Sequence, residues 1–169
     1  MSTQPKTILT PEQYLEIERK AQTKSEYHGG EMFAMSGASR KHNVLGGSLI
    51  GLLYPQLRSK PCELCPSHVD ALLNPTFLAE ILSPSTAPST EAYDRGRKFE
   101  HYRAVESLQE YLLVAQERMH ADLFTRQGDG SWLLRSYSRG EDAIELASID
   151  CRLILGELYE ELAPTGAAP

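Results

Sequence analysis

The stretch from Phe77 to Thr86, FLAEILSPST, constrains this chain more than any other. Its first six residues alternate, placing Phe77, Ala79 and Ile81 on one face of an extended strand and Leu78, Glu80 and Leu82 on the other. Ser83, Pro84, Ser85 and Thr86 then end the run, since small residues and a proline cannot continue a central strand. A carboxylate between two leucines is costly to bury unless it is paired or bound to a cation. Glu80 is therefore expected to be half of a structural ion pair or a ligand to a metal ion.

The flanking text supplies the elements that would surround such a strand. Thr10-Pro11-Glu12 carries a capping hydroxyl, a proline at the first helical position and an acid in the first turn, which predicts a helix to about Gln22. Two short extended runs, Ser25 to His28 and Glu31 to Met35, lie around a Gly29-Gly30 turn. Val44, Leu45, Leu49, Leu52 and Leu53 have helical spacing behind a Ser39 cap, and Pro55 is expected to kink that helix or end its regular part. CELCPSHV reads as extended and NPTFLAEIL as a strand, followed by a helix over TEAYDRGRKFEHYRAV. EYLLVA is a further buried strand, and Asp129-Gly130 sets a hairpin within ADLFTRQGDGSWLLRSYS. IELASIDCRLILGELYEEL supplies one more short strand and a closing helix. The sum is an α/β (α+β) domain: a mixed sheet flanked by helices over residues 10–162, with a tail at 1–9 and a disordered tail at 163–169.

Composition narrows the functional classes. At 169 residues, 41% hydrophobic and 24% charged, the chain suits one soluble globular domain. A formal net charge of -6 argues against coating nucleic acid by bulk attraction, although it leaves room for a local basic patch. No apolar run reaches the roughly 18 residues that span a bilayer, and the first residues are not signal-like, so a cytoplasmic protein is expected. Cys62, Cys65 and Cys151 make an odd count, unlike a disulfide scaffold. Cys62 and Cys65 with His68 resemble half of a zinc site whose other half is missing; the plainer reading is small residues in a half-buried strand.

The segment after the Ser83–Thr86 break places Asp94, Lys98 and Tyr102 at i, i+4 and i+8, one stripe of a helix bearing an anion, a cation and a phenol. Arg95, Arg97, His101 and Arg103 extend the polar surface. An ordinary solvated face would read the same way. A strand carboxylate, a tight break and a lysine-bearing helix is a rarer sequence, and it lets the lysine return toward the acid.

These blocks, SEYHGGEMFAMSGASRKHN, CELCPS, LAEILSPST with YDRGRKFEHYR, and EYLLVAQ, resemble the Uma-type restriction endonuclease family of the PD-(D/E)XK nuclease superfamily, from about Thr10 to Leu162. The resemblance implies a restriction-endonuclease-like fold and a metal-dependent DNA endonuclease using Mg²⁺ or Mn²⁺. Glu80 matches the metal-binding glutamate, Leu82 the vacated lysine slot and Lys98 the lysine that migrated to the next helix. Glu31 matches an early acidic residue, His42 a histidine at the start of the long helix, and Asp94 and Tyr102 the helix stripe. In that chemistry a cation neutralises the phosphodiester's non-bridging oxygens and water is made more nucleophilic. Two strand cuts need two sites, so a homodimer is a further expectation.

One half of the family signature is missing. The Pro-Asp strand that should precede the glutamate strand is absent, and Val69-Asp70-Ala71-Leu72-Leu73-Asn74 joins the flanking blocks directly, like an internal deletion with its edges between about His68 and Asp70. Asp70 is the acid nearest the join and the candidate second metal ligand, in surroundings unlike Pro-Asp. A site with one strand carboxylate holds Mg²⁺ weakly unless Glu31 or Asp94 substitutes, and a sheet without a core strand must close the gap or expose an edge. The alternative function is thus an inactive nuclease-like remnant that binds nucleic acid or oligomerises.

Overall fold

Thr10 opens the first helix as its sequence predicts: its hydroxyl accepts from Gln13 N while the Gln13 side chain accepts from Thr10 N, a reciprocal capping box. The computed structural model describes residues 8–21, 25–28, 30–34, 39–65, 74–82 and 99–162. They fall into two compact units, 1–38 and 39–169.

In the first unit, helix α1 (Pro11–Glu18) ends earlier than the expected Gln22, one residue after the last apolar position of its stripe, Ile17. Strands β1 (Ser25–His28) and β2 (Glu31–Ala34) pair antiparallel, with His28 opposite Glu31. Gly30 takes φ +89°, and the Ile8 side chain packs where a Cβ would stand, so this turn needs glycine on both counts. Tyr14 stacks on Tyr27 and donates to Ser25 O, and Glu18 accepts from both Ser25 N and Ser25 Oγ, which fastens α1 to the hairpin.

The second unit begins with α2 (Arg40–Leu57), capped by Ser39. The helix runs two residues beyond Pro55. Pro55 lacks the N–H that Gly51 O would accept, but Gln56 holds the last turn: its amide donates to Leu52 O within the helix and to Arg152 O outside it, and accepts from Arg152 N. Strand β3 (Phe77–Leu82) pairs parallel with β4 (Glu110–Ala115); β5 (Ala121–Arg126) and β6 (Trp132–Tyr137) follow antiparallel, giving a four-stranded mixed sheet in the order β3-β4-β5-β6. A helical turn, α3 (Phe99–Tyr102), precedes β4. The β5–β6 hairpin turns at Gly130, φ +83°, as the Asp129-Gly130 pair predicts.

The C-terminal part corrects the expectation of a single strand. Residues 143–154 form two, β7 (Ala143–Leu146) and β8 (Cys151–Ile154), paired around a 3₁₀ turn at Ala147–Ile149. Asp150 closes the turn at φ 51°, a left-handed conformation that aspartate tolerates better than most residues. Helix α4 (Leu155–Tyr159) follows, and its Gly156 lies so close to Gly140 that a Cβ there would stand 2.9 Å from Gly140 O.

Two cores lie on opposite faces of the mixed sheet. Leu45, Leu49 and Leu53 of α2 pack with Leu112, Val114 and the β7–β8 hairpin, and Phe77, Ala79 and Ile81 join them. On the other face Leu82, Tyr111 and Leu113 pack with Leu78, Phe99, Tyr102 and Phe124. The alternation read from FLAEIL is therefore the one observed. Cys62–Cys65, expected to be extended, carry no regular structure, because a turn of irregular chain follows α2 instead of a strand.

Candidate active site

Glu80 projects from β3 onto the face that carries Tyr111 and Tyr102, and it meets both. Tyr102 Oη donates to Glu80 Oε1 at 2.8 Å, and Tyr111 Oη donates to Glu80 Oε2 at 2.7 Å. One phenol comes from α3 and the other from the neighbouring strand, so each carboxylate oxygen is gripped by a different element. This resolves the cost of a carboxylate between two leucines: charge-assisted hydrogen bonds replace much of the lost water.

The aromatic residues that carry these phenols hold one another. Phe99 stacks near Tyr111 at 5.9 Å between centroids, tilts onto Phe124 at 4.3 Å and meets Trp132 edge-on at 5.3 Å. Tyr102 meets the Tyr111 ring at 5.2 Å in a T-shape. The chain leaving α3 is fastened by Arg126, whose guanidinium donates to the carbonyls of Arg103, Val105 and Glu106 and lies 5.0 Å over the Trp132 ring. The placement of Tyr102 thus depends on a β5 arginine that no sequence pattern singles out.

The start of α2 lies at the C-terminal end of the parallel strands. Ser39 Oγ donates to Gln116 Oε1, just past β4, and Lys41 pairs with Glu117. His42 is in the first turn of this helix, partly buried, and burial holds its imidazole below the ordinary histidine range. The buried face of α2, through Leu45, Leu49 and Leu53, covers the sheet face opposite Glu80. Glu31 stands opposite His28 in the hairpin of the first unit. Lys98, Asp94, Asp70 and His68 lie outside the described residues.

Glu80 has the chemistry of one Mg²⁺ ligand, a hard carboxylate oxygen on a rigid strand. Among the described residues no group of three or more histidine, cysteine, aspartate or glutamate side chains could enclose a metal by itself. The donor set fits an open site, completed by water and substrate phosphate as Mg²⁺ sites commonly are, and not a closed cage.

Tyr111 is the member of this arrangement that sequence reasoning missed. Its one signal was a phenol within the strand EYLLVA, where a buried hydroxyl needs a partner.

A mixed four-stranded sheet flanked by helices, with a carboxylate on the strand beside a parallel neighbour, defines an α+β protein. Residues 11–74 and 70–155 match the family model Uma2, described as "Putative restriction endonuclease". The chain is 33% identical to "Uncharacterized protein slr1290" of Synechocystis over 182 residues, covering 92% of this chain and 93% of the relative. It is 32% identical to "Uncharacterized protein sll1609" of the same organism over 165 residues, covering 80% of this chain and 90% of that one. A crystal structure from Anabaena variabilis, described as "a putative nuclease belonging to DUF820", superposes with a TM-score of 0.69 at 14% identity, covering 91% of this chain and 99% of that one. The protein belongs to the Uma2 family.

The family match comes in two pieces that meet at residues 70–74, the place where the sequence joins its flanking blocks directly. The first alignment, at 182 residues, is also longer than the 169-residue chain, so that relative carries residues with no counterpart here. Among the described residues no helix is long and apolar enough to cross a membrane.

Proposed function

We propose that this chain is a Mg²⁺- or Mn²⁺-dependent DNA endonuclease of the PD-(D/E)XK type that hydrolyses phosphodiester bonds in the cytoplasm. The observation that carries the reading is Glu80, a strand carboxylate held in a fixed orientation by Tyr102 and Tyr111. Glu80 and Asp70 are assigned as metal ligands, with Asp94 and His42 as accessory groups. Lys98 is assigned to orient the attacking water or the scissile phosphate. A bound cation would supply charge neutralisation on the phosphate and a more acidic water. Tyr102 orients the Glu80 carboxylate from the more exposed side of the site. The working form is assigned as a homodimer, since a double-strand cut needs two sites.

A second reading is favoured by the family match itself, which comes in two pieces that overlap at 70–74. In that reading the chain is a catalytically inactive nuclease-like module that binds nucleic acid or oligomerises. Plasmid cleavage in Mg²⁺ or Mn²⁺ separates the two: folded wild-type protein cuts, and Glu80→Ala and Lys98→Ala do not. Equal, background-level cutting by all three would establish the inactive module.

A further inference from the structure

Tyr111 lies beneath the candidate site on β4, fully buried, where Phe99 and Phe124 lie alongside its ring and Tyr102 meets it edge-on. A ring packed this way has little freedom, so its hydroxyl is aimed by the core. The register pairs Leu78 with Tyr111 and Glu80 with Leu113, which makes the Tyr111–Glu80 contact a diagonal one across the parallel ladder. A phenylalanine would fill the same volume. The hydroxyl is therefore not there for packing, and in a fully buried strand it is costly unless it has a partner.

We infer that Tyr111 is a positioning residue for Glu80, its buried hydroxyl fixing the plane of the carboxylate that meets cation and phosphate. The inference rests on the metal-dependent nuclease reading. One phenol lies on each carboxylate oxygen, so the pair fixes the plane of the group. The two phenols are not equivalent. Tyr102 arrives from α3 and is partly exposed, whereas Tyr111 belongs to the strand hydrogen-bonded to β3 and moves only with the sheet.

The test uses the full chain and three variants: Tyr111→Phe, Glu80→Gln and the double variant. Urea unfolding reports the contact, calorimetric titration with Mn²⁺ in the absence of DNA reports cation binding, and plasmid cleavage reports activity. Tyr111→Phe is expected to fold, to bind Mn²⁺ about ten- to a hundredfold more weakly and to lose cleavage in proportion. Its effect on the folding constant is expected to be several-fold smaller in the Glu80→Gln background, as coupled neighbours behave. Wild-type Mn²⁺ affinity in Tyr111→Phe would overturn the inference. So would an identical effect on folding in both backgrounds, which would mark general damage to the core. Wild-type protein that neither binds Mn²⁺ nor cuts DNA would overturn the nuclease reading itself, and it is recognised before any substitution is made.

Discussion

Tyr102 Oη donates to Glu80 Oε1 over 2.8 Å, linking the turn at Phe99–Tyr102 to a strand 22 residues earlier in the chain. The contact brings the end of that turn onto the carboxylate. Tyr102→Phe keeps the ring against Tyr111 and removes only the donor. The expected result is a loss of about 1–2 kcal/mol in urea unfolding, since a hydrogen bond to a carboxylate is removed at a partly buried site. Cleavage is expected to fall about tenfold, the usual scale for a residue that orients a metal ligand. Unchanged stability and cleavage would show that the contact contributes nothing.

The close approach of Gly140 and Gly156 makes a sharper test of packing. An alanine Cβ at Gly156 would stand 2.9 Å from Gly140 O and 3.3 Å from Gly140 Cα, both backbone atoms, so relief requires moving the chain. Gly156→Ala is expected to cost about 1–3 kcal/mol, the range for overpacked sites. At Gly51, on the exposed face of α2, an added Cβ would meet nothing within 4 Å, and Gly51→Ala is expected to gain roughly 0.5–1 kcal/mol from helix propensity. Thermal unfolding should separate the two in opposite directions.

Burial lowers the pKa of His42 from its ordinary 6.5. Its folded form therefore binds a proton less readily than its unfolded form, so between the two pKa values the unfolded chain holds more protons and stability rises with pH. The stabilisation is fully present above the ordinary value and is lost as pH falls through 6.5 toward the lower folded value. His42→Gln should flatten that part of a stability profile measured by urea unfolding between about pH 7.5 and 5. A profile unaltered by the substitution would show that burial of this imidazole does not govern it.

Glu80 was legible because its strand alternates, and period-2 patterning states which side chains share a face. Ser39 and the Asp129-Gly130 turn were legible for equally local reasons, a capping hydroxyl and a pair that tolerates positive φ. Tyr111 was not, because β4 is buried along all six residues and offers no alternation to assign its faces. Arg126 acts on the carbonyls of Arg103, Val105 and Glu106, some twenty residues away, a contact no local pattern encodes. The β7–β8 hairpin was merged into one strand because Ala147–Asp150 contains no glycine, proline or asparagine to mark its turn. The α2 helix outlasted Pro55 because Gln56 finds partners on α2 and at Arg152, a tertiary effect invisible to helix propensity.

If Glu80 is the carboxylate of a metal-dependent nuclease site, removing its charge must abolish cutting without unfolding the chain. The decisive quantity is the rate at which supercoiled plasmid is nicked by wild-type protein and by Glu80→Gln in the same Mn²⁺ concentration, with a chelator control. Chelator-sensitive nicking by wild type is expected, with a loss of at least about a hundredfold in Glu80→Gln, on the scale of removing a group that stabilises the transition state. Equal rates for the two folded proteins, or nicking that survives the chelator, would contradict the assignment of Glu80.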